Sequence, residues 1–204
     1  VMGLGVKADG ISVIENLGTS TASFELSPLV MIDQTGLVTI FNTKPEIGQG
    51  TYQSIPALIA EELEVGMDKI VIKQTGGEKK YGPAQFVGGS SSVRTNYTNL
   101  RKVGAAAKEM LIKAASNSWN VPVSECYAEN ATVIHRPSGK KMGYGELAEV
   151  ASKLEAPKNP TLKDAKDFKI LGKSAPRPDV PMKVNGTAIF GIDASVPGMV
   201  YASI

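Results

Sequence analysis

The sequence predicts an α+β fold: a small sheet with helices packed on one face, in the order β-β-α-β-α-β-β-α, followed by the start of a second, α/β domain. Three observations predict it. Short runs such as "LVTIFN" and "KIVIKQT" alternate apolar and polar residues, the period of half-buried strands. Longer stretches between them repeat apolar residues at steps of three and four, the period of helices. Both principal helices follow glycine-rich loops, "EIGQGTY" and "GGSSSVR".

Residues 1–27 are polar with scattered Gly, Ser and Thr, which predicts an irregular arm. "PLVMID" and "LVTIFN", joined by "QTG", predict a β-hairpin. The next helix places Ile55, Leu58, Ile59 and Leu63 on one face. It is expected to begin near Tyr52 to Ser54, which keeps Pro56 in a first turn where its missing N–H costs little. "KIVIKQT" is a strand, with Ile70 and Ile72 alternating against lysines. "GGEKKYGPAQFVGG" has no periodicity, and a long structureless loop inside a compact domain is usually functional or disordered.

A long helix is expected to start in "GGSSSVR", with a stripe of Val93, Tyr97, Leu100, Val103, Ala107, Met110, Leu111 and Ala114. Gly104 to Ala107 make one section narrow, suited to close packing. Then come two strands, a Ser-Gly turn and a helix carrying Leu147, Val150, Ala151 and Leu154. The domain is therefore placed at 28–156. Residues 157–172, with prolines and four lysines, are expected as a surface linker. Residues 173–204 open something new, with strands expected in "TAIFGID" and "MVYASI".

Composition removes several function classes. The net charge is +2 and no basic run reaches five residues, so nucleic acid is not an expected partner. With one Cys and one His, this chain cannot build a zinc or iron–sulfur site alone. No apolar run approaches the roughly 18 residues of a membrane span, and no intact leader is visible. Both ends look cut.

The two glycine loops are the informative features. A helix N-terminus exposes unpaired N–H groups and partial positive charge, and glycine lets a ligand approach the backbone closely. Gly48, Gln49 and Gly50 form one candidate contact, in which Gln49 adds a neutral donor and acceptor. Gly89, Ser90, Ser91 and Ser92 form the other, with three hydroxyls. Glycine turns and serine caps are also common for structural reasons alone. Glu61, Glu62 and Glu64 are expected as a solvated helix face, Lys79 and Lys80 as a solvated loop, His135 as a structural or solvated strand residue, and Cys126 as a buried small apolar residue.

Taken together, "EIGQGTYQSIPALIAEELEV", "YGPAQFVGGSSSVRTNYTNLRKVGAAAKEMLIKAASNSWNVPVSEC", "SGKKMGYGELAEVASKL" and "DFKILGKSAPRPDVPMKVNGTAIFGIDASVPGMVYA" resemble the molybdopterin-binding large subunit of the xanthine dehydrogenase and aldehyde oxidase family, in its isoquinoline 1-oxidoreductase branch. The resemblance runs in collinear order over about residues 28–204. It implies a molybdopterin cofactor, often in the cytosine dinucleotide form. It also implies oxidation of N-heteroaromatic compounds or aldehydes with water as oxygen source, and electrons passed to 2Fe-2S clusters on a small partner subunit.

By motif match, Gly48, Gln49 and Gly50 resemble the cofactor-contacting segment, with Gln49 facing the pterin or metal ligands. Gly89, Ser90, Ser91 and Ser92 resemble a second loop holding pterin or phosphates. Segments 173–204 resemble the start of the family's hammerhead domain. Nothing matches the family's glutamate base, and Glu46 does not qualify for that role. The chain is thus expected to be an N-terminal part of the large subunit, with no catalytic residue of its own, inactive without the remainder of that subunit. A periplasmic location is a further implication of the resemblance. Two other readings stay open on the residues alone: a cofactor-free scaffold of the same fold, and an unrelated nucleotide- or phosphate-binding α+β domain.

Overall fold

The computed structural model of the chain describes residues 21–202. Contacts divide it into two compact units, one running to Ala175 and the other taking Pro176 onward.

The larger unit holds two sheets. Strands β1 (Ser23–Ser27), β2 (Val30–Asp33), β3 (Val38–Asn42) and β4 (Ile70–Gln74) form the first, in that order. The first three are antiparallel neighbours and β3 pairs parallel with β4. A parallel pair needs a crossover, and helix α1 (Thr51–Leu63) supplies it. Helix α2 (Tyr97–Trp119) leads to the second sheet, the antiparallel strands β5 (Cys126–Glu129), β6 (Thr132–His135) and β7 (Lys141–Gly143). Helix α3 (Tyr144–Ser152) follows directly.

Alternation explains which side of the first sheet is covered. Val30, Ile32, Val38 and Ile40 are all fully buried, and their odd-numbered partners in sequence are only half-buried. The predicted stripe of α1, Ile55, Leu58, Ile59 and Leu63, is buried against them. The narrow section of α2 lies on α1: a Cβ added at Gly104 would stand 2.2 Å from the Ile59 carbonyl oxygen. Only glycine allows that approach. Tyr144 closes the core, with its hydroxyl donating to the Leu63 carbonyl at 2.7 Å, and burial pushes its phenol far above the ordinary range.

The α+β class stands, with several elements differing from expectation. β1 falls in the stretch expected as an irregular arm; Leu26 is its one buried residue, so its alternation is faint. β7 has three residues, too few to show a period. α1 starts at Thr51, which makes Pro56 an interior residue of the helix. α2 starts at Tyr97, not in "GGSSSVR"; residues 88–96 form turns, and Val93 lies outside the helix. The rest of the predicted α2 stripe is buried or half-buried.

Glu61 and Glu62, expected on a solvated face, are 1% and 0% exposed. The Glu61 carboxylate accepts from the Lys163 ammonium at 2.6 Å and from the amides of Lys169, Ile170 and Leu171. Burial pushes Glu61 up, but those donors outweigh it and hold the carboxyl below its usual value. Glu62 pairs with Arg101, whose guanidinium also donates to the Lys163 carbonyl. Residues 157–172, read above as a surface linker, therefore supply the partners of both buried carboxylates.

Among its described residues the smaller unit shows one short helix, α4 (Val180–Val184), and a single 3-10 turn at Gly191–Asp193. "TAIFGID" and the described part of "MVYASI" form no strand, because a strand needs a ladder partner and none pairs with them among the described residues. Residues 1–20 of the arm expected at 1–27 lie outside the described residues.

Candidate functional site

The sheet topology brings the two glycine loops to one edge. β3 and β4 are parallel neighbours, ending at Asn42 and Gln74. The loop into α1 leaves the first and the loop toward α2 leaves the second. In open sheets with parallel strands, ligands bind outside the carboxyl ends of the strands. The two strand ends are also joined by side chains. Asn42, fully buried, donates from Nδ2 to Gln74 Oε1 at 2.9 Å, and Gln74 Nε2 donates back to the Asn42 carbonyl at 2.9 Å.

The first loop supplies many of its own partners. Glu46 turns its carboxylate onto the amides ahead of α1: Oε1 accepts from Gly48 N at 2.7 Å and Gly50 N at 2.9 Å, and Oε2 from Tyr52 N at 2.9 Å. A carboxylate at a helix N-terminus meets both the orphan donors and the positive end of the dipole. Gln49 is also committed. Its Oε1 accepts from Ile47 N at 2.6 Å, and its Nε2 donates to the Pro45 carbonyl at 2.8 Å and to Thr51 Oγ1 at 3.0 Å. The partners fix the orientation of this amide, since a carbonyl only accepts and an N–H only donates. The expectation that these amides and Gln49 stand open to a ligand is therefore corrected: the loop brings its own anion. What remains open is the space over the backbone. Gly48 (φ +105°) and Gly50 (φ +89°) need glycine for their conformation, and among the described residues a Cβ at either would meet no atom within 4 Å.

The second loop is held differently. Lys44 is 5% exposed, and its Nζ donates to the Ala84 carbonyl at 2.6 Å and the Phe86 carbonyl at 3.4 Å, with the Phe86 ring 5.3 Å away. Gln85 Nε2 donates to the carbonyls of Glu78 and Gly82, while its Oε1 is buried with no partner among the described residues. Gly88 opens a tight turn in which Ser91 Oγ donates to the Gly88 carbonyl at 2.7 Å. Gly89 (φ +58°) and Ser90 (φ +52°) are both left-handed. For serine that conformation is strained, and such strain gathers at functional sites. Gly89 and Ser90 are exposed, and Ser91 and Ser92 are half-buried. Because α2 starts later, these hydroxyls do not sit at its N-terminus as expected.

A cleft of about 670 Å³ opens beside both helix starts. Gly50, Gln53 and Ser54 line it from α1, Val93 and Tyr97 from the approach to α2, and Phe168 from the following segment. Of the predicted contacts only Gly50 lines it; Gly48, Gln49, Gly89 and Ser90 to Ser92 lie outside its wall. The other candidates are structural. His135 is buried, bonded to Glu125 Oε2 at 2.8 Å and Ser138 Oγ at 2.7 Å. Cys126 is buried, and burial raises its thiol pKa. Among the described residues no group of three or more His, Cys, Asp or Glu could hold a metal, and no helix is long and apolar enough to cross a membrane.

Sequence reasoning missed Asn42, Lys44 and Glu46. Glu46 had a legible signal, an acidic residue just ahead of a helix start. Lys44 had none, because its partners lie 40 and 42 residues away.

Comparison with known proteins gives the site its setting. The beta chain of isoquinoline 1-oxidoreductase from Brevundimonas diminuta is 30% identical over 224 aligned residues, covering 91% of this chain and 29% of that protein. A nicotinate dehydrogenase subunit of Pseudomonas putida is 28% identical over 182 residues, covering 88% of this chain and 15% of the relative. The chain thus spans under a third of the length of these relatives. Among solved structures, a Cu,Mo-CO dehydrogenase shares the fold, with a TM-score of 0.50 and 19% identity over 63% of this chain and 18% of the other. The family described as the molybdopterin cofactor-binding domain matches residues 3–195, and the chain belongs to it.

Proposed function

We propose that this chain forms part of the cofactor cradle in the large subunit of a molybdenum hydroxylase, and that its two glycine loops are walls of that cradle. The observation that carries the reading is topological: both loops leave the carboxyl ends of adjacent parallel strands, and both lead to helices that border one cleft.

The residues present fit a flat, anionic organic group. Among the described residues a Cβ at Gly50 or Gly89 would meet no atom within 4 Å, so a ring system can lie against the backbone there. The buried Gln85 Oε1 is an acceptor still to be satisfied beside the second loop. The exposed Gly89 and Ser90 offer amide and hydroxyl donors suited to phosphate, in the cytosine dinucleotide form of the cofactor. The first loop, whose amides already hold Glu46, serves as a rigid face rather than a phosphate site. Gln49 reaches a ligand by turning out of its present bonds or through the second lone pair of Oε1. The bound cofactor would supply the redox chemistry, while these residues orient it and exclude water.

By the names of two relatives, the whole enzyme acts on an N-heteroaromatic substrate; aldehydes, the other class that the resemblance implies and that a third relative's name carries, stand second. Electrons leave through 2Fe-2S clusters on a small iron–sulfur subunit, and the assembled enzyme works in the periplasm. The test uses the full-length subunit purified with its partner. Gln49→Ala and a joint Ser90, Ser91, Ser92→Ala variant are compared with the parent for molybdenum content and turnover of a heterocycle panel. Groups around a metal site typically change affinity or activity by about tenfold to a hundredfold. A loss on that scale is expected from the serine variant. Full molybdenum content and activity in both would reject the cradle.

A further inference from the structure

We propose that Lys44 is a positioning residue: a buried cationic strut that couples the two glycine loops and so sets the gap between the walls of the cradle. The inference rests on the cofactor reading above.

The base of the strut is fixed on the first loop. Lys44 N donates to Asn42 Oδ1 at 3.1 Å, and the Lys44 carbonyl accepts from Asn42 Nδ2 at 2.8 Å and from Thr51 Oγ1 at 3.2 Å. Thr51 opens α1 and also receives the Gln49 amide. The main chain of Lys44 is thus tied to the end of β3, the start of α1 and the glutamine of the first loop at once. The tip belongs to the second loop. The ammonium grips the carbonyls of Ala84 and Phe86 and stands beside the Phe86 ring, just ahead of Gly88 and Gly89. A shift at either end is passed to the other through one side chain.

The chemistry of this residue argues for a role beyond packing. Among the described residues no carboxylate lies within ion-pair distance of Lys44. Burying an ammonium without a counter-ion is expensive, and an apolar side chain of the same length would fill the space without that cost. Contrast Lys163, half-buried and placed between Glu61 and Glu64. Local rules are broken without compensation chiefly at functional sites. The charge also lies between two loops read as binding an anionic group, where it adds attraction the carbonyls do not use up.

The test uses the full-length subunit, in a molybdate-starved preparation and in a molybdate-replete one with its partner. Lys44→Met removes the charge at nearly constant volume; Lys44→Arg keeps it. In starved protein, amide hydrogen exchange of residues 82–92 in Lys44→Met is expected to quicken about tenfold or more, as befits loss of charge-assisted bonds, while α2 stays protected. Molybdenum content of the replete protein is expected to fall, and Lys44→Arg to restore both in part.

Unchanged exchange at 82–92 would overturn the strut. Quickened exchange with full molybdenum content would overturn its service to the cofactor. If the serine-loop variant loses molybdenum but Lys44→Met does not, the strut alone fails; if neither does, the cradle fails with it. Should Lys44→Met not fold, Lys44→Gln takes its place under the same criteria.

Discussion

The two glycine loops look alike in sequence and differ in how they are held. The first supplies many of its own partners: within the eight residues 45–52, Glu46 takes three amides and Gln49 takes three further groups. The second is fastened from outside, through Lys44, and keeps an unpartnered acceptor at Gln85 and a strained backbone at Ser90. The difference teaches that a glycine-rich helix start is not by itself an open anion site. What matters is whether the chain has already supplied the anion. Among the described residues it has done so at one loop and not at the other, so the first loop is preformed and the second is adjustable.

The largest effect should come from breaking what the loops share. Both helices are set by the contact at Gly104, where an added Cβ would meet the Ile59 carbonyl at 2.2 Å. Gly104→Ala must push α1 and α2 apart, at a cost of about 3 kcal/mol by the scale of overpacked cores. Urea unfolding would show this as a lowered midpoint with unchanged slope. A cost near zero would mean the helices are free to slide, and with them both loops.

Next comes the first loop alone. Glu46→Ala removes a cap made by a charged group and strands the amides of Gly48 and Gly50. A loss of about 2 kcal/mol is expected, with Glu46→Gln losing roughly half of that because one oxygen still accepts. Equal stability of Glu46→Ala and the parent would erase the contrast between the loops.

The smallest effect belongs to the second loop. Ser90→Gly relieves about 1–2 kcal/mol of left-handed strain and adds about 0.5–1 kcal/mol of chain entropy to the unfolded state. The net is a gain of about 0.5 kcal/mol. If that more stable variant also loses molybdenum, the Ser90 hydroxyl is kept for the ligand rather than for the fold.

Much of the scaffold was legible because it is local. Ile55, Leu58, Ile59 and Leu63 announce α1 by spacing alone, and all four are buried. Gly104 to Ala107 announce a close helix contact, which α1 and α2 make. The failures share one cause, partners remote in sequence. Glu61 and Glu62 look solvated in their own helix because Arg101, Lys163 and Lys169 to Leu171 lie 39 to 110 residues on. The α2 boundary slipped because serines that resemble a cap instead close turns of their own. At the site, the glycines could be named from pattern, but their state could not. Glu46 is near enough to be read as a cap, whereas Lys44 reaches across to a loop that only the β3–β4 pairing brings near.

One measurement bears most directly on the cradle: a structure of the assembled, cofactor-loaded enzyme. The account predicts the pterin ring lying over the backbone of Gly48 to Gly50, with Glu46 still on its amides. It predicts a phosphate or pterin oxygen within about 3 Å of donors in Gly89 to Ser92. A cofactor that displaces Glu46 and leaves the second loop untouched would contradict it.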